Sequence, residues 1–223
     1  MTSLRAATIG DLLSGDVPRE SIELLAERAV LLRGFARSEA ADLVRMVHDI
    51  AAAAPFRHMV TPGGFRMSVA MTSCGDTGWV TDRSGYRYSQ QDPASGRPWP
   101  PMPLIFRSLA GRAAATGGFS GFAPDACLIN RYEPGTKLSL HRDEDELDLS
   151  APVVSVSLGL PATFLWGGLS RGDRQRRIRL ESGDVVVWGG SARLTYHGIA
   201  MLAEGENPLI GRSRINLTLR KAL

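Results

Sequence analysis

The chain has 223 residues, of which 43% are hydrophobic and 22% charged, with a formal net charge of +3. That balance can bury a core and argues against a disordered chain, and no apolar run approaches the roughly 20 residues needed to span a bilayer. The two cysteines, Cys74 and Cys127, are too few for a disulfide framework and match no zinc spacing, so reduced thiols and a cytoplasmic location are expected.

The opening residues, MTSLRAATIGDLLSGD, lack the basic start and apolar stretch of a secretory signal. ESIELLAERA (20–29) reads as a short helix, and Val30–Leu32 as a strand. Ser38 can cap a second helix whose buried stripe is Leu43, Met46, Val47 and Ile50. His48 falls off that stripe and reads as a surface residue, and Pro55 stops the helix. Residues 56–103 are rich in turns (TPGG, SCGD, RSGY, DPASG, PWPPMP), with short strands such as Arg66–Thr72 among them. So long an irregular stretch inside a compact domain usually carries function. A third helix is expected over about 103–115. From 126 onward ACLINRY, TKLSLH, PVVSVSLGL, TFLW, RRIRLE, DVVVWGG and RSRINLTLR read as short strands. Seven or eight of them predict a sandwich, barrel or jelly roll, in one domain with helices packed outside a β core.

LSLHRDEDELDL (138–149) carries the first chemical signal. An acidic run is usually a solvated loop, but this one follows one of only four histidines. In an extended chain residues i and i+2 share a face, so His141 and Asp143 project together at a strand end. His197, after DVVVWGG, should return beside the β core. Two histidines and a carboxylate form the facial triad of non-haem iron oxygenases, and zinc can take the same set. In RSRINLTLR one face carries Arg214, Asn216, Thr218 and Arg220, and the other Ile215, Leu217 and Leu219. The polar row is either a solvated face or a site for an elongated anion, since the planar fork of arginine binds carboxylates bidentately. Asn216-Leu-Thr218 matches a glycosylation sequon, read as accidental.

His141-x-Asp143, His197 and Arg214-x5-Arg220, in that order, resemble the Fe(II)/2-oxoglutarate dioxygenase superfamily. NRYEPGTKLSLHRDEDE, PVVSVSLGLPATF, SGDVVVWGGSARLTYHGI, RSRINLTLR, FRHMVTPGGFRMSVAMTSCG and PDACLINRY look like the bacterial AlkB alkylation-repair dioxygenases, over residue 30 to the C-terminus. The resemblance implies an α+β fold: a double-stranded β-helix (jelly roll) core at about 126–220, flanking N-terminal helices, and a nucleotide-recognition lid at about 56–103, all in one domain, 1–223.

It implies that His141, Asp143 and His197 bind Fe(II). Asn130, Tyr132, Arg214, Asn216 and Arg220 would hold 2-oxoglutarate, Arg214 at its distal carboxylate and Arg220 near the end that chelates iron. Trp79, Tyr86, Arg87, Tyr88, Asp145, Arg171, Thr61, Met71, Lys137 and Ser139 would contact substrate. Trp79 would stack on the damaged base opposite His141, and Tyr86 would meet a phosphate. Asp145 would act as a buried carboxylate beside a cationic base, while Glu144 and Asp148 are read as solvated and Glu146 is left open. The implied reaction uses O2 and 2-oxoglutarate to hydroxylate the N-methyl group of 1-methyladenine or 3-methylcytosine, releasing succinate, carbon dioxide and formaldehyde. The implied partner is alkylated DNA, single-stranded by preference, with RNA as a second candidate. No membrane and no obligate protein partner are expected, and a monomer suffices. A dioxygenase for tRNA, protein or a small molecule is the first rival, and an inactive binding module for alkylated nucleic acid the second. Phe65 departs from the tyrosine that often follows TPGG in the family.

Overall fold

The computed structural model describes residues 21–223. The opening stretch read as lacking a secretory signal lies outside them. Among the described residues three antiparallel sheets form. The largest runs β1 (Ser21–Ala26), β2 (Ala29–Arg33), β11 (Val185–Trp188), β8 (Val153–Gly159), β13 (Arg214–Arg220), β6 (Ala126–Tyr132), β3 (Ala70–Gly75). A second runs β10 (Arg176–Leu180), β9 (Ala162–Trp166), β12 (His197–Ile199), β7 (Leu138–His141). The third is a hairpin of β4 (Gly78–Asp82) and β5 (Gly85–Ser89).

Two apolar layers follow from the alternation of strand side chains. One face of the large sheet packs against α1 (Ala40–Ala53) and α2 (Leu104–Thr116), through Leu43, Val47, Ile50, Phe106, Leu109, Ile129, Leu217 and Leu219. The opposite face meets the four-stranded sheet through Leu128, Phe164, Trp166, Ile178, Leu180 and Trp188. This is the expected jelly roll with helices outside. Strand β13 lies in the middle and is buried throughout. Its apolar row joins the helix-side layer, where each fully buried leucine contributes about 2 kcal/mol, and so fixes the strand that presents the polar row. A solvated polar face is thereby excluded, and Asn216 and Thr218 have no room for a glycan.

Several local readings change. ESIELLAERA is not a helix: residues 21–26 form an edge strand paired with β2, and Arg28 takes the left-handed turn position between them (φ 63°). Helix propensity is a weak prior, and pairing at the open edge of β2 overrides it. Arg33 bridges the hairpin to Glu23 at 2.6 Å. Ser38 is no cap. It sits in a single 3-10 turn, Arg37–Glu39, and no side chain caps α1. The stripe Leu43, Val47 and Ile50 is buried as expected, with Val44 added and Met46 only half-buried, and His48 is exposed. The strand sought at Arg66–Thr72 begins at Ala70 and ends at Gly75, so the turn-rich stretch contributes one strand to the large sheet itself. No helix among the described residues is long and apolar enough to cross a membrane.

Candidate active site

The metal triad is assembled by strand pairing. His141 ends β7, His197 begins β12, and the two are direct antiparallel partners, with ring centroids 4.5 Å apart. Gly198 lets the strands approach: a Cβ there would lie 2.7 Å from the Leu138 carbonyl oxygen. Asp143 follows two residues after His141. Its Oδ1 is 3.8 Å from His141 Nε2, and its Oδ2 is 3.9 Å from His197 Nε2. The Nδ1–H groups of the two histidines donate to the carbonyls of Ser139 and Thr195, each at 2.9 Å. Both Nε2 lone pairs are therefore free to bind a metal, and the rings are oriented by backbone. Ligand atoms of all three residues lie within 4.8 Å of one another.

Electrostatics holds His197 and Asp143 in their ligating protonation states. Burial, helped by neighbouring His141, lowers His197 to about 4, so it is neutral at pH 7. Burial pushes the Asp143 carboxyl upward, but Arg220, His197, His141 and Arg193 outweigh it and hold it below the usual carboxylate range. The sign of the pH dependence follows. A histidine whose folded pKa is depressed contributes stability that is present above its unfolded value and lost as pH falls toward the folded one. The metal-free protein should lose roughly 2–3 kcal/mol of stability between pH 7 and 4.5 through His197. Urea unfolding at the two pH values checks this, and the His197→Gln protein should lack that part of the slope.

The polar row of β13 faces the triad from the large sheet. Its partners on β8 are small: Arg214 pairs with Gly159, Asn216 with Ser157 and Thr218 with Ser155. They leave space where larger residues would fill it. Arg214 is 1% exposed. Its Nη2 donates to Ser157 Oγ at 3.0 Å, and its guanidinium lies 4.9 Å over the Tyr132 ring. Its Nε and Nη1 have no partner, and neither does Asn130 Oδ1. Burial lowers the pKa of Arg214, against the pull of Tyr132. Arg220 is also buried, yet its pKa is raised, because Asp143, Tyr88 and Glu146 outweigh burial. One arginine is taken up by protein carboxylates and the Tyr88 hydroxyl, and the other keeps two buried donors for an anion. Asn216 Nδ2 donates to Ser155 Oγ at 2.8 Å, and Thr218 Oγ1 donates to Asn216 Oδ1 at 3.0 Å, so the strand's middle is rigidly bonded.

A cavity of about 540 Å³ joins these groups to the hairpin. Every residue predicted for the site lines it except Arg87 and Tyr88. Thr61, Met71, Trp79, Tyr86, Lys137, Ser139, Asp145 and Arg171 border it together with the triad and the five residues assigned to the co-substrate. Trp79 stacks on Tyr86 with centroids 5.6 Å apart and planes at 17°. Its indole N–H donates to Asp145 Oδ2 at 2.7 Å. Asp145 is exposed, not buried as expected; it hangs at the cavity mouth from the tryptophan. Arg171 and Arg142 both lie over the ring of Tyr196, at 6.0 and 5.4 Å. Arg87 does not reach the cavity. Its guanidinium binds both oxygens of Asp82, at 2.7 and 3.1 Å, in the hairpin's own turn. Tyr88 points behind the site and donates to Glu146 Oε1 at 2.6 Å.

The acidic run thus divides. Asp143 faces the metal position and Asp145 the mouth. Glu144 is exposed and pairs with Arg142 at 2.6 Å. Asp148 is half-buried and accepts from Ser150 N and Oγ. Glu146 is buried and was not assigned from sequence, and Arg193 was missed altogether. Neither has a sequence signal, because its partners lie 42 or more residues away.

Two nitrogens and a carboxylate oxygen suit iron(II), and the unpaired donors of Arg214 suit a dicarboxylate. Residues 28–220 match the model of the 2OG-Fe(II) oxygenase superfamily. "Alpha-ketoglutarate-dependent dioxygenase AlkB" of Escherichia coli (strain K12) is 59% identical over 200 residues, covering 90% of this chain and 93% of that one. The chain belongs to the AlkB family of 2OG-Fe(II) oxygenases. More distantly, the "Nucleic acid dioxygenase ALKBH1" of Mus musculus is 36% identical over 122 residues, covering 54% of this chain and 31% of that one. Among solved structures, one of OsALKBH1 superposes with a TM-score of 0.79 at 28% identity, covering 90% of this chain and all of that one. This AlkB-family chain is an Fe(II)- and 2-oxoglutarate-dependent dioxygenase. His141, Asp143 and His197 form its metal site.

Proposed function

We propose that the chain oxidatively demethylates N-alkylated bases of the 1-methyladenine and 3-methylcytosine type in DNA, with single strands preferred and RNA as a second substrate. One observation carries the reading: a single cavity joins the metal triad to an aromatic hairpin and a mouth carboxylate. A base treated at one of its own atoms must leave the stack. Trp79, backed by Tyr86, offers a face for it, and His141 lies across the cavity. Asp145 gives one oxygen to Trp79. The other is left for the exocyclic amino group of a cationic base, whose charge it offsets. Arg171, held over Tyr196, supplies positive charge at the mouth for phosphates.

In this reading His141, Asp143 and His197 hold iron. Arg214, Asn130, Tyr132 and Asn216 hold the distal part of 2-oxoglutarate, and Arg220 stands beside Asp143 at its other end. Bound iron with 2-oxoglutarate and O2 supplies the oxidant for a methyl C–H bond. The protein positions the methyl group, and Phe164 and Trp188 give the cavity an apolar wall that keeps water out. Hydroxylation of the N-methyl group is followed by collapse to the unmodified base and formaldehyde. The same proposal keeps the protein monomeric and in the cytoplasm, where the buried thiols of Cys74 and Cys127 stay reduced.

The test is an aerobic reaction with Fe(II), 2-oxoglutarate and a single-stranded oligonucleotide carrying one 1-methyladenine. Near-equal yields of repaired base, formaldehyde and succinate are expected. Succinate without repair would move the substrate to tRNA, protein or a small molecule. Neither product, with metal bound, would favour a binding module. Asp145→Asn removes a charge-assisted contact of about 1.5–3 kcal/mol, so kcat/KM on 1-methyladenine should fall roughly 10- to 100-fold. On a neutral methylated base the loss should be much smaller. Equal losses on both would remove Asp145 from base recognition.

A further inference from the structure

Behind Asp143 lies a buried ionic cluster in which Glu146 and Arg193 have no role above. Arg220 donates to both oxygens of Asp143, Nη2 to Oδ1 at 2.8 Å and Nε to Oδ2 at 3.1 Å. The same Nε lies 3.2 Å from Glu146 Oε1. Arg193 donates through Nη2 to Glu146 Oε2 at 2.9 Å, through Nη1 to the Asp143 carbonyl at 2.6 Å, and through Nε to the Ala151 carbonyl at 3.0 Å. Side chains of Glu146 and Arg193 are 2% and 4% exposed. Tyr88, on the hairpin, donates to Glu146 Oε1 at 2.6 Å and accepts from Arg220 Nη1 at 3.4 Å. Burial keeps its phenol protonated well above neutral pH, so it enters both bonds as a neutral hydroxyl.

We propose that Glu146 and Arg193 are positioning residues of the iron site, and that Glu146, through Tyr88, is the joint that ties hairpin β4–β5 to the ligand Asp143. Charge and geometry both lead there. Two carboxylates and two guanidiniums make the cluster neutral, so a divalent ion enters without meeting excess positive charge. Without Glu146 the cluster carries one net positive charge beside the metal position. Arg220 would then pull on Asp143 alone, in direct competition with the ion. With Glu146 present, Arg220 keeps a counter-ion while Asp143 gives an oxygen to the metal. Arg193 bonds the backbone of the ligand itself and sits four residues before His197, so it ties the two strands that carry the triad. The hairpin arm rests on the reading of that hairpin as the base-binding lid. The metal arm does not.

The test titrates Mn(II), a redox-silent probe, into the metal-free protein by calorimetry, with 2-oxoglutarate present. Partners of metal ligands typically carry 10- to 100-fold in affinity. Glu146→Gln keeps the shape and removes the charge, and is expected to weaken Mn(II) binding by roughly that factor. Arg193→Lys keeps the charge but cannot reach three acceptors, and is expected to weaken it also. Thermal melting on the same samples separates a purely structural role: lower stability with unchanged Mn(II) affinity overturns the positioning proposal. If Glu146→Gln does not fold, Arg193→Lys decides it by the same criterion. For the joint, the anaerobic Fe(II)·2-oxoglutarate absorption band is recorded with and without the methylated oligonucleotide. The wild type should shift on binding it and Tyr88→Phe should not, although the variant still binds Mn(II) normally. A shift retained in Tyr88→Phe, or absent from a wild type that binds the oligonucleotide, overturns the joint. A wild type that does not bind it, by fluorescence anisotropy, overturns the lid reading and the joint together, while the Mn(II) titration still decides Glu146 and Arg193.

Discussion

Replacing Arg214 with alanine should raise the 2-oxoglutarate concentration for half-maximal turnover by roughly 100-fold or more, with metal affinity nearly unchanged. The expected size follows from the geometry. Arg214 is buried, bonded once to Ser157, and left with two unused donors. A carboxylate that pairs with them in a cavity screened from water loses about 3–5 kcal/mol when the partner is removed, and each 1.4 kcal/mol is about tenfold. Arg214→Lys should fall between, because an ammonium is a point charge and cannot present a fork. The stability readout has the opposite sign from that of an ordinary buried arginine. The unliganded protein carries the cost of a desolvated, half-paired cation, so its melting temperature should hold or rise in Arg214→Ala. A structural arginine would lower it. Unchanged 2-oxoglutarate affinity in a folded variant would sink the dicarboxylate reading.

Much of this site is legible in the sequence, and the reasons are local. His141 and Asp143 share a face because i and i+2 do so at a strand end. His197 was expected back beside the β core, and it returns as the direct partner of His141. The polar row of β13 was harder. Its alternation was plain, but sequence does not say which face of a central strand meets water. Here neither does: the apolar row packs on helices and the polar row lines the cavity between the two sheets. Residues whose roles depend on distant partners could not be read. Arg193 looks like any loop arginine until its contacts with Asp143, Glu146 and Ala151 are seen, and Glu146 looks like one more charge in an acidic run.

The misreadings have equally local causes. ESIELLAERA has helix-forming residues, but an open sheet edge took it as a strand. Arg87 interleaves with aromatics as a phosphate contact would, yet Asp82, five residues before it, claims both of its terminal nitrogens. Asp145 reaches the cavity as expected but remains in water. The consequence for recognition is that a cationic base must be held by a screened carboxylate, so its charge counts only through a direct charge-assisted hydrogen bond and not through longer-range attraction.

Asp143→Asn should abolish turnover and weaken metal binding by roughly 1,000-fold or more, and the cause is twofold. The ligand loses its charge, so the ion meets three neutral donors in place of two neutral and one anionic. The cluster behind it also changes sign. Arg193 and Arg220 then face only Glu146, which leaves one net positive charge beside the position of a dication. Asparagine keeps the shape and an acceptor oxygen for one Arg220 donor, so the fold should survive with a loss of about 1–3 kcal/mol from the weakened charge-assisted bonds. The double variant Asp143→Asn with Arg220→Gln separates the two causes. Removing the surplus cation should restore part of the metal affinity, by tenfold or so if the low-dielectric repulsion is as large as the geometry implies. No recovery would mean that the charge of the ligand alone sets affinity and that Arg220 acts only on the co-substrate. Calorimetric Mn(II) titration of the two single variants and the double variant, each with its melting curve, distinguishes these outcomes.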